Sequence, residues 1–355
     1  MEADGSVLEE WRERIAGAAR TGVPLRLRGA GTKDFYGEGL AGELLDLRAW
    51  RGIVDYEPSE LVISVRCGTP LSEVEAALGA HGQFLAFEPP AFGADPTVGG
   101  VIAAGLSGPR RMFAGAARDF VLGARLLTAQ GELLRFGGQV MKNVAGFDVS
   151  RLLCGSLGIF GVITEVSLKV LPRPRLEETL SLELSAAEAV AAFNRWAALP
   201  LPLSGAAWSQ GHASVRLSGA PAAVRAARQR IGGDLIEAAR AEGFWNALRH
   251  CQLPVFAAEG VWRLAVPPAT PPLALPGEPL IDWGGALRWY ADLGTEVGVR
   301  EVVQASQGTA LRWRGSSPVS RFHPLPAATA SLHRRLKERF DPAAIFNRGR
   351  LIAGL

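Results

Sequence analysis

Glycine-spaced segments carry the chemistry that this chain could do. Arg28-Gly29-Ala30-Gly31-Thr32-Lys33 follows directly on the alternating stretch Leu25–Arg28. Two glycines around one small residue, just after a strand, let consecutive backbone N–H groups turn inward and hold an anion. Thr32 adds a hydroxyl and Lys33 a positive charge. Asp34 stands where a nicotinamide-type G-x-G-x-x-G loop has its third glycine, and no G-x-x-x-x-G-K-[ST] occurs, which removes an ATP-type phosphate loop.

A second segment is Asp95-Pro96-Thr97-Val98-Gly99-Gly100. Thr97 is expected to cap a helix whose first turn carries both glycines, so that a ligand could touch backbone and an anion could sit at the helix N-terminus. Glycine within a helix costs roughly 1 kcal/mol against alanine, so the pair needs a reason, and close helix packing is the competing one. A third is Gly155-Ser156-Leu157-Gly158-Ile159-Phe160-Gly161-Val162-Ile163, entering a strand, with Lys142–Asp148 shortly before it. Each alone is also an ordinary turn; their order and separations make the set specific.

Acid–base candidates are few. The 5 histidines, His81, His212, His250, His323 and His333, include no pair spaced for a metal. His323 is the one candidate base, and Arg312, Arg314 and Arg321 are candidate carboxylate binders, since guanidinium groups suit that geometry. Strand pairing or solvent exposure would explain the same arginines. Cys67, Cys154 and Cys251 form no C-x-x-C pair, which argues against a disulfide framework, a zinc site or an iron–sulfur cluster held by this chain, and no metal is expected. Of the 9 tryptophans, 7 lie after residue 195, and most are expected to be core or interface anchors.

These segments need elements to position them. Val7, Leu8, Trp11, Ile15 and Ala18 recur at helical spacing. Strands are expected at Leu25–Arg28, Leu44–Leu47, Ile53–Tyr56, Leu61–Cys67, Val121–Thr128, Leu133–Phe136 and Val162–Val170, with a helix at Leu71–Leu78. Leu171-Pro172-Arg173-Pro174 is the expected boundary, an extended linker. Beyond it strands at Thr179–Leu184, Ala213–Leu217 and Val261–Val266 alternate with helices at Ala186–Ala198, Ala220–Ile231 and Ile236–Leu248, the pattern of helices on one antiparallel sheet. A last helix, Ala328–Arg339, precedes the tail Phe340–Leu351. With 355 residues, 48% apolar and 21% charged, the chain has room for two or three domains; a net charge of +3 without a dense basic run argues against nucleic acid. The acidic N-terminus is not a secretory signal, no apolar run is long enough to span a membrane, and a cytoplasmic setting is expected.

Taken together, the first 175 residues resemble the flavoprotein superfamily of vanillyl-alcohol oxidase and p-cresol methylhydroxylase (PCMH). The resemblance rests on Arg28–Thr32, Thr97–Gly100, Ser107-Gly108-Pro109-Arg110, Arg118–Gly123, Gly155–Ile163 and the tail Phe340-Asp341-Pro342 with Ile345–Leu351. Ser156-Leu157-Gly158, Met141–Asp148 and the compact length are most similar to the smaller FAD-binding subunits of bacterial glycolate oxidase complexes.

That resemblance implies an α+β protein. A two-subdomain PCMH-type FAD-binding domain (1–175, split near 90–95) precedes a smaller α+β cap with an antiparallel sheet (176–325). A helix and tail (326–355) then return to the FAD domain. It implies FAD at Arg28, Gly29, Ala30, Gly31, Thr32, Lys33, Pro96, Thr97, Val98, Gly99 and Gly100, with Ser107 and Gly108 near the isoalloxazine and Gly158, Gly161, Val162, Ile163 and Asn347 completing the set. Relatives that tether FAD use histidine or cysteine near Thr97–Ala117 or at the Thr32 loop; neither type occurs there, so the flavin is expected to be non-covalent.

Catalytic relatives carry H-x-G-D-G-N-x-H late in the chain; the counterpart here, Gln304–Arg314, has no histidine and no acid. The resemblance therefore implies a flavin-carrying subunit that works with a larger FAD-binding catalytic subunit and an iron–sulfur subunit. Together they would oxidise glycolate, a small 2-hydroxy acid, to glyoxylate, and the complex leaves room for peripheral membrane association. The alternatives are a free-standing FAD-dependent 2-hydroxy-acid dehydrogenase of D-lactate type and a non-catalytic assembly subunit that keeps the flavoprotein fold.

Overall fold

The computed structural model describes residues 2–93, 95–138, 148–293, 296–315 and 320–352. The segment 141–147, used in the resemblance, lies outside the described residues. The expected N-terminal helix runs Glu2–Thr21. It lays Trp11, Ile15 and Ala18 on Leu25 and Leu45, which belong to a parallel pair, β1 (Leu25–Arg28) and β2 (Glu43–Asp46). The tail joins this pair: Leu25 forms a parallel bridge with Phe346, and both are fully buried.

An antiparallel sheet of five strands follows, built from β3 (Ile53–Glu57) and β4 (Val62–Arg66) and, after the short β5 (Gln83–Phe84), from β6 (Val121–Leu127), β7 (Leu133–Gly137) and β8 (Val162–Lys169). Its order is β3-β4-β8-β6-β7. A subdomain split near 90–95 therefore does not follow the sheet, because β3 and β4 precede that point yet β4 pairs with β8 along Val62–Arg66. One face buries Ile63, Val65, Leu126 and Val166 beneath the helices Leu71–Ala80 and Val98–Ala104.

The proline-bearing boundary is tied down rather than free. β9 (Leu171–Pro172) pairs with β5, and Arg173 N–H donates to Gly82 O at 2.7 Å. Proline is tolerated there because the pair is short and at an edge.

The remaining strands form one antiparallel sheet of eight: β10 (Leu176–Glu183), β11 (Leu203–Ser209), β12 (His212–Gly219), β13 (Asp234–Leu235), β14 (Val261–Ala265), β15 (Leu280–Asp282), β16 (Leu287–Ala291) and β17 (Thr309–Arg314). The order is β13-β10-β12-β11-β15-β16-β14-β17. Alternation divides it into two buried faces. Val261, Leu287, Trp289, Leu311 and Trp313 face the N-terminal half of the chain, together with the helix Ala238–Arg249. Trp262, Leu264, Tyr290 and Ala310 face away, under the helix Glu296–Ala305. The two halves are joined by charge: Glu88 takes Arg110 at 3.3 Å and Arg216 at 2.9 Å, and Arg110 reaches Glu177 at 2.6 Å. No helix among the described residues is long and apolar enough to cross a membrane.

Candidate functional site

β1 ends at Arg28, whose guanidinium Nε pairs with Asp34 Oδ2 at 2.8 Å and so closes residues 29–33 into a loop. Gly31 sits at φ +75, and an added Cβ would lie 2.2 Å from the Arg28 guanidinium, so only glycine fits. Among the described residues no acceptor meets the backbone N–H groups of Gly29, Ala30, Gly31, Thr32 or Lys33. A run of unsatisfied donors in one curved loop is an anion nest. Lys33 lies behind it, 9% exposed, with the Thr32 hydroxyl at 3.4 Å, the Phe92 ring centroid at 5.6 Å and no carboxylate within ion-pair distance among the described residues. Burial pulls its pKa from 10.5 down to about 8.

The loop opens on a cleft of about 110 Å³. The cleft gathers Arg28, Gly29, Ala30, Gly31, Thr32 and Lys33 with Pro96, Thr97, Gly99, Gly100, Gly158, Gly161, Ile163 and Asn347. These are residues that the sequence reading put together. Val98 and Val162 are not in the lining: Val98 is 1% exposed in the core and Val162 packs beside Trp11.

Thr97 does cap the helix Val98–Ala104, its Oγ1 accepting from Gly100 N at 3.3 Å. The expected role of that helix end is corrected, however. Val98 N–H donates to Thr69 O at 2.9 Å and Gly99 N–H to Cys67 O at 2.8 Å, so the first-turn donors are already occupied by protein. A Cβ on Gly99 would meet Cys67 Cβ at 2.6 Å, which makes this glycine a packing requirement, whereas Gly100 meets nothing closer than Thr97 Oγ1 at 3.3 Å and leaves the cleft wall low. The backbone N–H groups that no acceptor meets among the described residues are those of residues 29–33 instead.

The third wall is held by the tail. Asn347 Oδ1 accepts from Leu27 N at 2.8 Å and its Nδ2 donates to Leu157 O at 2.6 Å. Its side-chain amide is thus used inside the protein and positions the wall. Arg350 was not singled out in the sequence. Its guanidinium donates to Lys33 O at 3.1 Å and Asp34 O at 2.8 Å, and also to the carbonyls of Tyr36 and Glu38. Nothing local marks that role, since the partner carbonyls lie more than 300 positions away.

Ser107 and Gly108 line a different, narrow pocket with Arg263, Asp282, Cys251, Trp283, Trp289 and Trp313. Gly108 N–H donates to Phe87 O and its carbonyl accepts from Trp283 Nε1 at 3.0 Å, locking this corner onto the cap. Asp282 Oδ1 accepts from Trp283 N at 2.6 Å, and burial lifts the carboxyl to about 7.

His323, Arg312 and Arg321 line neither pocket. Arg312 pairs across the sheet with Trp262 and stacks on that ring at 5.1 Å, on the face turned away from the N-terminal half. Strand alternation gives the near face to Trp313 instead. His323 Nδ1 accepts from Ala310 N at 3.3 Å, and burial holds its pKa below the ordinary value. The residue on the near face that the sequence reading missed is Arg263, which alternation within Val261-Trp262-Arg263-Leu264 could have marked as an arginine in a buried strand.

Comparison with known proteins bears on the same residues. Residues 7–137 match the family described as FAD binding domain. Over 344 residues the chain is 45% identical to the glycolate oxidase subunit GlcE of Escherichia coli (strain K12), covering 97% of each. It is 33% identical over 162 residues to the glycolate oxidase subunit GlcD of Bacillus subtilis (strain 168), covering 44% of this chain and 34% of that protein. A solved structure of alkyldihydroxyacetonephosphate synthase superposes with a TM-score of 0.66, over 96% of this chain and 75% of that one at 15% identity, which shows a shared fold.

Proposed function

This chain belongs to the family of the glycolate oxidase subunit GlcE, and from that premise we propose that it is the non-covalent FAD-holding subunit of a complex that oxidises glycolate to glyoxylate. FAD, when bound, supplies the capacity to accept two electrons with the hydride of a 2-hydroxy acid and to pass those electrons on. A larger FAD-binding subunit of GlcD type and an iron–sulfur subunit are the proposed partners. A cytoplasmic site, with peripheral membrane association through the complex, goes with that reading.

The observation that carries it is the loop of residues 29–33. Consecutive backbone N–H groups without acceptors, backed by a buried lysine without a counter-ion, fit a pyrophosphate: the anion would satisfy the donors and offset the burial cost of the Lys33 charge. Thr97 and Gly100 would border the ribityl side, and Gly158, Ile163 and the wall positioned by Asn347 would close the opposite side. Cys67 lines the cleft, but burial pushes its thiol pKa well up, so it stays a thiol and offers no nucleophile for a tether.

The test is flavin content. The purified chain should carry visible flavin absorbance that is released on denaturation. Gly31→Val should give a folded protein, by circular dichroism, that holds no flavin, because the side chain displaces Arg28 from Asp34 and flattens the nest. A flavin-free wild type that cannot be loaded with added FAD would sink the proposal.

A further inference from the structure

The eight-stranded sheet ends in an edge that the protein leaves half covered. β13, its outermost strand, pairs with β10 only at Leu180 and Ser181, and one more bond runs from Ile236 N–H to Thr179 O at 2.9 Å. There the chain turns off, because the Glu237 carboxylate accepts from Ala239 N at 2.9 Å and Arg240 N at 3.0 Å and starts the helix Ala238–Arg249. Residues 176–178 of β10 are left without an outer strand. Ser218, opposite Glu177 on β12, sends its own N–H the other way, to Pro202 O at 2.8 Å. Antiparallel alternation therefore points the Glu177 N–H and C=O outward, where no partner meets them among the described residues.

This open edge forms one side of a groove of about 820 Å³. The helix Ala238–Arg249 forms another, lining it with Ala238, Ala241 and Glu242, while Phe84 and Trp245 supply apolar surface. The charge of the groove is lopsided, with six glutamates against four arginines. Three of those arginines are already committed to its own glutamates: Arg110 to Glu88 and Glu177, Arg216 to Glu88, and Arg249 to Glu75 at 2.6 Å. Glu242 has no ion pair or hydrogen bond among the described residues, and Glu237 is spent on backbone alone. An uncovered strand edge is a template for pairing, and its acidic surroundings complement positive charge.

We infer that this groove takes an extended, lysine- or arginine-bearing segment of another protein as an added strand beside β10, in the place that β13 vacates at Ile236. The segment's C=O accepts from Glu177 N–H and its N–H donates to Glu177 O, while its basic side chains meet the carboxylates of Glu177 and Glu242. Backbone pairing supplies affinity for any extended chain; the glutamates select a basic one. The inference goes beyond the flavin reading and does not depend on it, since the groove shares no lining residue with the cleft at residues 29–33.

Calorimetric titration of the full chain with the capped peptide Thr-Val-Lys-Val-Lys-Val-Thr tests this. Wild type should bind it, and the counterpart with glutamate in place of lysine should bind about tenfold more weakly. Glu242→Lys should narrow or reverse that preference. Glu177→Pro removes the outward N–H at a strand edge, where proline is tolerated, whereas Glu177→Ala loses the same carboxylate and keeps the N–H. Glu177→Pro should therefore bind the lysine peptide about tenfold more weakly than Glu177→Ala, with both variants giving the wild-type circular dichroism spectrum. Amide hydrogen exchange in residues 175–179 should slow when the peptide is present. Should Glu177→Pro fail to fold, the Glu242→Lys and exchange measurements carry the test. No binding to wild type, equal affinity for the two peptides, or equal affinity in folded Glu177→Pro and Glu177→Ala overturns the inference. Binding without slowed exchange in residues 175–179 places the contact elsewhere and also overturns it.

Discussion

The Asn347 carboxamide donates to the Leu157 carbonyl at 2.6 Å while accepting from the Leu27 N–H at 2.8 Å, so one side chain joins the tail, the Gly155–Ile163 loop and the first strand. Asn347→Ala leaves a donor and an acceptor unpaired in a partly buried seam. The expected cost is about 1–3 kcal/mol. Urea denaturation should show it, together with weaker flavin retention. Asn347→Asp should be no better, because a carboxylate cannot donate to Leu157.

Lys33 is expected to make flavin binding depend on pH. In the flavin-free protein burial holds its pKa near 8 against an ordinary 10.5. Below pH 8 folded and unfolded chains both carry the charge, and the burial cost is fully present. Between about 8 and 10.5 the folded chain loses the proton first, so flavin-free stability rises with pH. A pyrophosphate favours the charged form and reverses the preference. FAD affinity should therefore be greatest below pH 8 and fall as pH rises through it. Lys33→Met should flatten that dependence and weaken binding about ten- to a hundredfold at pH 7, measured by equilibrium dialysis.

Lys337 is the tail's anchor. Its Nζ donates to Ile159 O and Phe346 O, each at 2.7 Å, and meets Asp341 Oδ2 at 2.6 Å, with Asp341 accepting from the N–H groups of Ile345 and Phe346. Removing the amine strands a buried carboxylate. Lys337→Met should cost about 3–5 kcal/mol, and adding Asp341→Asn should recover part of it. Chemical denaturation of the single and double variants provides the cycle.

Arg312→Met and His323→Gln provide the contrast. Both residues lie away from the two pockets, so flavin content should stay within about twofold of wild type, although Arg312→Met loses stacking on Trp262 worth about 1 kcal/mol. A large loss of flavin in either would move the site to the far side of the sheet.

The cleft was legible where chemistry is written in local backbone. Gly31 needs positive φ, Thr97 caps a helix, and Leu25–Arg28 alternates, all visible in short windows. The cap was less legible because its sheet is buried on both faces. Leu287-Arg288-Trp289-Tyr290 is buried at every position, so the polar alternation that marks a half-exposed strand is absent, and β11, β15, β16, β17 and the helix Glu296–Ala305 went unrecognised. The same cause misdirected the acid–base candidates. Without the register of β17 against β14, nothing in the sequence said which of Arg312 and Trp313 turns toward the flavin domain, nor that Arg263 does. Gly99 shows the converse limit: its spacing suggested a ligand, while the space it vacates is filled by Cys67.

Arg350 holds the carbonyls of Lys33 and Asp34, and Phe346 extends the pairing of Leu25. A chain emerging from the ribosome makes the nest early but acquires the opposite wall only when residues 345–350 follow. On the proposed reading a flavin would until then have one side of its berth and nothing to close it. Loading of the cofactor would thereby report on translation: a yellow molecule would be one whose synthesis has passed residue 350 and whose two distant stretches have found each other.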